Sequence, residues 1–140
     1  MTPTTTLSPL ATIQAVYDAF GRGDLDALLS YVHEDVQWCT TVGGADHPVL
    51  VAGHGVGHAA VHAYFGAIAK HMAITKFAPL QLAANDEGYV FSLIDLEFAD
   101  PSIGKTVALH EIHVFRVVDG KIVSYEPIID TAASARAFSA

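Results

Sequence analysis

The sequence predicts an α+β fold: a strongly curved, mainly antiparallel sheet wrapped by three N-terminal helices into a cone. Three observations predict it. Apolar residues recur at helical spacing in three segments before residue 72, the period then changes from 3.6 to 2, and short turns join the later segments. Helices gathered on one side of a curved sheet leave a cone half open at one end, a natural place for a pocket.

The first helix starts at Ser8, an N-cap residue with Pro9 in the first helical position, and carries Ile13, Val16, Tyr17 and Phe20 on one stripe until Gly21 and Gly23. Asp24 caps a second helix, whose Leu25, Leu28, Leu29 and Val32 extend it to about His33. Val36 to Val42 reads as a short strand with Trp38 and Thr40 on one face and Gln37, Cys39 and Thr41 on the other. Gly43 to Gly57, with five glycines and a proline, reads as a loop. A third helix spans about His58 to His71, with Val61, Tyr64, Phe65 and Ile68 as its stripe. Strands follow at about 73–84, 88–99, 105–118 and 121–129. Turns at Asn85 to Gly88, Asp100 to Gly104 and Asp119-Gly120 join them. Residues 1–7 form a Thr- and Pro-rich tail, 8–140 form a single domain, and Thr131 to Phe138 read as a short terminal helix.

Composition narrows the function. The chain has 140 residues, 51% apolar and 16% charged, and a net charge of −8. It can bury a sizeable core, and its seven scattered Lys and Arg cannot build a phosphate-binding surface, so nucleic acid is set aside as a partner. No run approaches the ~18 apolar residues of a membrane span, and Met1 to Leu7 lacks the features of a signal peptide. The lone Cys39 excludes an internal disulfide and fits a reducing cytoplasm. Eight histidines are the unusual count, and imidazole is the side chain that titrates near neutral pH.

Glu111 and His113 stand two apart on one strand and share a face with Leu109, Phe115 and Val117. An acid and an imidazole on an apolar face need each other, water or a ligand, because burying an unpartnered polar group costs roughly 2–7 kcal/mol. They are candidates for a general acid/base pair. Glu126, with Ser124 and Ile128 beside it, and Asp95, near Phe91 and Leu93, are further carboxylates that these strands would present to the cavity. Trp38, Tyr64, Phe65, Phe20 and Phe115 are candidate wall residues, Trp38 and Tyr64 above the rest because each carries a donor that needs a partner. His54, His58 and His62 stand four apart, but nothing nearby completes a metal set, so they read as exposed helix-face residues. No glycine pattern forms a phosphate cradle, and neither a metal nor a cofactor is expected. Asp130 reads as a cap on the terminal segment.

Three runs carry a resemblance: Val16 to Leu28, Glu34 to Trp38, and His113 to Ile122, followed by Asp130. They resemble the nuclear transport factor 2-like superfamily, and within it the SnoaL-like and ketosteroid-isomerase-related branch, over about residues 9–135. The resemblance implies a cystatin-like α+β barrel with one internal cavity and a homodimer paired through the outer sheet face. Carried over from the steroid isomerases of this fold, the first-helix tyrosine falls at Val16 with Tyr17 one residue out of phase. The proton-moving aspartate falls at Thr40, and the oxyanion acid at His113. In members like limonene-epoxide hydrolase, the matching positions are Trp38, Thr40, Glu111 and His113. The steroid isomerase residues are therefore not retained. The resemblance implies cofactor-independent proton transfer on a small hydrophobic molecule, with His113 and Glu111 central and Glu126 or Asp95 assisting. The alternative is a carrier domain that binds such a molecule unchanged. Val16 and Thr40 then belong to the binding wall.

Overall fold

The computed structural model describes residues 6–40, 53–100, 104–130 and 132. Helix α1, Pro9–Gly21, starts where the Ser8 hydroxyl accepts the Ala11 N–H at 3.1 Å. Such a cap satisfies one of the donors left open at a helix start. Asp24 does the same for α2, Leu25–Leu29, its Oδ1 accepting the Ala27 N–H at 3.0 Å. This helix is shorter than the spacing predicts. Val32 and His33 already belong to strand β1, Val32–Thr40, where Val32 is buried and pairs with Ile122. A β-branched residue offered a sheet ladder takes it over a last helical turn.

A second difference lies just beyond. Within the segment read as a loop, Gly53–Val56 forms strand β2, antiparallel to β1 from Gln37↔Val56 to Thr40↔Gly53. Glycine suits this position sterically, since a Cβ on Gly55 would stand 2.5 Å from the Ala60 Cβ at the start of helix α3, His58–His71. Residues 41–52 lie outside the described part. So do the tail expected at 1–7, except for Thr6 and Leu7, and the terminal helix with its Asp130 cap, except for Asp130 itself and Ala132.

The rest of the sheet follows the predicted segments closely: β3 Ala73–Ala84, β4 Tyr89–Asp100, β5 Lys105–Val118 and β6 Lys121–Ile129. The strand order is β2-β1-β6-β5-β4-β3, antiparallel at each described pairing except β1 against β6. Between β3 and β4 the Asn85 carboxamide accepts the N–H groups of Glu87 and Tyr89. Gly88 there has φ +86°, and a Cβ on it would stand 2.4 Å from the Val117 carbonyl oxygen. The β5–β6 turn places Asp119 and Gly120 both at positive φ, the signature of a tight two-residue hairpin. Register shifts in β3–β4, β5–β6 and β1–β6 bend the sheet, as bulges do. The concave face receives α1 and α3, and Ile13, Val16, Val61, Val90 and Ile122 are buried between them. No described helix is long and apolar enough to cross a membrane.

Candidate active site

The concave face of β5 presents Val107, Leu109, Glu111, His113, Phe115 and Val117, all buried, while the alternate residues turn outward. Period two puts Glu111 and His113 on one wall, and the curvature brings α1 across to meet them. Glu111 is 8% exposed and His113 5%. His113 Nε2 lies 2.6 Å from Glu111 Oε1, and His113 Nδ1 lies 2.8 Å from the Tyr17 hydroxyl. Both ring nitrogens are thus engaged by the protein. With a neutral imidazole, Nε2–H donates to the Glu111 carboxylate and the Tyr17 O–H donates to Nδ1. With an imidazolium, Nδ1–H donates to the Tyr17 oxygen, and the phenol O–H is released toward whatever stands next to it.

These groups open on a cavity of about 70 Å³ with aromatic and aliphatic walls. Val16, Phe20, Trp38, Tyr64, Phe65 and Phe115 line it, together with Tyr17, Phe77, Tyr125 and Pro127. Trp38 packs on Tyr125 with ring centroids 4.4 Å apart and meets Tyr64 edge to face at 5.6 Å. The Tyr64 and Tyr125 hydroxyls are 3.0 Å apart. The Trp38 indole nitrogen is buried without a hydrogen-bond partner among the described residues.

Burial in this apolar setting pushes the Tyr17, Tyr64 and Tyr125 phenols well above the ordinary value near 10, because a phenolate would lose its hydration. Nearby Glu111 adds to the rise in each case. For Tyr17, neighbouring Ser92 works in the other direction. The Ser92 hydroxyl is itself buried and forms no well-shaped hydrogen bond.

Four sequence expectations change. Asp95 lies on the outer face of β4, where Lys76 Nζ approaches its carboxylate to 2.6 Å and His110 Nε2 to 3.8 Å. The Lys76 ammonium holds the Asp95 carboxyl below its usual range. The inward set on β4 is Val90, Ser92, Ile94, Leu96 and Phe98, a series without charge. Glu126 is exposed on the outer face of β6, while Tyr125 and Pro127 point inward. Neither carboxylate reaches His113. Tyr17 rather than Val16 brings a polar group to the site, since adjacent residues are separated by about 100° of helix rotation and both fit one broad apolar stripe. Lastly, His58 is half-buried, its Nε2 2.8 Å from the Val32 carbonyl oxygen, so it ties α3 to β1 instead of facing solvent. The Thr40 side chain lies outside the described part.

The sequence reading missed Tyr125 and undervalued Tyr17. The signal for Tyr17 was its place on the stripe with Ile13, Val16 and Phe20. For Tyr125 it was the polar company of Glu126, whose same-face neighbour Ser124 marks a solvent-facing row. Among the described residues no three His, Cys, Asp or Glu side chains cluster as metal ligands.

The cone fold and the family coincide. Residues 13–125 match the family model described as a SnoaL-like domain, and the chain belongs to that family. It is similar in structure to an NTF2-like protein of unknown function from Burkholderia pseudomallei, at 27% identity and TM-score 0.81 over 94% of this chain and 98% of that one. It also resembles TerC, crystallised with polyporic acid, at 25% identity and TM-score 0.78 over 92% and 96% of the two chains. A protein from Xanthomonas campestris pv. campestris described as a candidate polyketide cyclase shares the fold at 22% identity and TM-score 0.74, covering 94% of this chain and 96% of that one. No curated protein matches the sequence.

Proposed function

We propose that this chain is a cofactor-independent enzyme that moves a proton on a small hydrophobic carbonyl compound held in the cone. The observation that carries the reading is the Tyr17–His113–Glu111 chain, a line of exchangeable protons set into an otherwise apolar wall. His113 does not face the substrate with a free nitrogen, so Tyr17 is the group that touches it. As Tyr17 Oη takes a proton from the carbon next to the carbonyl, its own proton passes to His113 Nδ1, and the Glu111 carboxylate stabilises the imidazolium. The C–H electron pair moves into the enolate, whose charge faces that imidazolium. Reversing the steps returns a proton to the same carbon or, in an isomerisation, to another. The raised phenol pKa keeps Tyr17 protonated in the resting state, so ionisation occurs only in concert with transfer to His113. TerC, crystallised with polyporic acid, supports an organic ligand for a relative of this fold.

The test is exchange of the α-protons of 2-butanone in deuterated water, followed by proton NMR. The expected result is exchange faster than in buffer, falling at least a hundredfold in Tyr17→Phe and His113→Ala variants that remain folded. Wild-type exchange at the buffer rate would overturn the enzyme reading. Binding without exchange would favour the carrier reading, which has its own support: both ring nitrogens of His113 are already satisfied within the protein.

We also propose that the chain pairs with a second copy through the outer face of β4, β5 and β6. Phe91, Leu93, Ile112, Val114 and Ile128 form one patch there through the registers Phe91↔Val114, Leu93↔Ile112 and Ile112↔Ile128. Phe91 is 42% exposed and Ile128 50%. Contiguous apolar surface of this kind marks an interaction site.

A further inference from the structure

The internal cavity is small for an organic substrate. Its 70 Å³ falls well below the ~300–1,000 Å³ of pockets for drug-sized ligands. Immediately outside it, between α1 and β3, runs a solvent-open groove of about 570 Å³. The two spaces share Tyr17, Phe20, Ile74 and Phe77. These residues are the partition between them. Phe20 and Phe77 stack across it with ring centroids 4.9 Å apart and planes within 10°, and Tyr17 meets Phe77 at 5.7 Å. Tyr17 therefore stands at the junction, its hydroxyl turned to His113 and its ring forming part of the groove floor.

From this juxtaposition we infer that the substrate is elongated: its reacting carbonyl end occupies the internal cavity and its apolar body lies in the α1–β3 groove, passing the Phe20–Phe77 pair. The inference rests on the carbonyl reading above and names the shape of the ligand. Its occupant is set by continuity with the cavity. The groove wall is mostly apolar, with Leu82 at one side, and its polar groups, Gln14 and Asp18, stand on the exposed face of α1. An apolar chain thus meets carbon along the floor and leaves the two polar side chains in water. Because the stacked Phe20 and Phe77 rings stand where the two spaces meet, a ligand that occupies both lies against this pair.

A series of straight-chain 2-alkanones, from 2-butanone to 2-nonanone, tests this by NMR titration of the whole chain. The carbonyl end occupies the cavity, so each methylene that lies in the groove is expected to tighten binding, by up to about fourfold where it is fully buried. Gln14→Trp places an indole over the groove without touching the cavity. It is expected to leave 2-butanone binding unchanged and to abolish the gain beyond one or two added methylenes. Asp18→Trp, one helical turn on and also exposed, does the same and guards against a folding defect in the first variant. Wild-type affinity that does not rise from 2-butanone to 2-nonanone overturns the inference. So do variants that bind 2-nonanone as tightly as wild type. Failure of the underlying reading is separately visible. Long ketones that bind through the groove but exchange no α-proton leave the groove assignment standing and remove proton transfer, whereas exchange of 2-butanone with no chain-length effect does the reverse.

Discussion

Replacing Glu111 and His113 singly and together separates what this pair does for the fold from what it does for chemistry. The two groups meet at 2.6 Å, are each less than 10% exposed, and sit in an apolar wall. Removing one member of a buried, hydrogen-bonded pair costs about 3–5 kcal/mol, because the other keeps its desolvation penalty without its partner. Glu111→Leu is thus expected to lose about 3 kcal/mol. His113→Phe loses more, since it strands the Tyr17 hydroxyl as well, at about 1–3 kcal/mol for the lost partner. The double variant removes both polar groups together and leaves only the Tyr17 hydroxyl unmatched, so it is expected to lie within about 3 kcal/mol of wild type. The cycle then shows a coupling of at least about 3 kcal/mol. Urea unfolding followed by tryptophan fluorescence reads it directly, since Trp38 is the sole tryptophan and is 4% exposed. Single-variant losses that simply add in the double variant, within about 0.5 kcal/mol, would refute the coupled buried pair. A double variant as stable as wild type yet inactive in proton exchange would show that the pair is kept for chemistry.

Three other outcomes are expected. Tyr17, Tyr64 and Tyr125 ionise in the unfolded chain near pH 10 but resist ionisation when folded. Their contribution is therefore intact below pH 10 and is lost above it, by about 1.4 kcal/mol per pH unit for each tyrosine. Urea midpoints at pH 8, 10 and 11 should hold and then fall; a midpoint as high at pH 11 as at pH 8 would contradict the burial argument. Phe91→Glu with Ile128→Glu is expected to convert a dimer to a folded monomer in light scattering, and a wild-type monomer in dilute solution removes the pairing proposal. Gly88→Ala places a methyl 2.4 Å from the Val117 carbonyl at φ +86°. A loss of more than about 1–2 kcal/mol is expected, the cost of the left-handed backbone plus the clash; a neutral substitution, read by thermal melting, would show that the β3–β4 turn relaxes freely.

Much of this molecule is written locally. Ser8 and Pro9 start a helix because a cap oxygen and a fixed φ act within one turn. Asp119-Gly120 makes a hairpin because both residues accept positive φ. Alternation along 105–118 sends Glu111 and His113 to one apolar face because a strand repeats every two residues. Where local signals compete, the reading fails. Val32 has helical spacing but takes the ladder beside Ile122, and the Gly53–Val56 stretch looks like loop until β1 stands next to it. The choice of wall partners also lay out of reach. Asp95 and Glu126 stand on strands with an inward and an outward row, and only their neighbours across the sheet show that the charged rows face out. Tyr17 and His113 are separated by 96 residues, and their contact at 2.8 Å depends on how far bulges curve the sheet toward α1. Spacing along the chain fixes which side of an element a residue occupies. Distances between elements are summed over every bend and packed side chain between them, and no short stretch of sequence carries that sum.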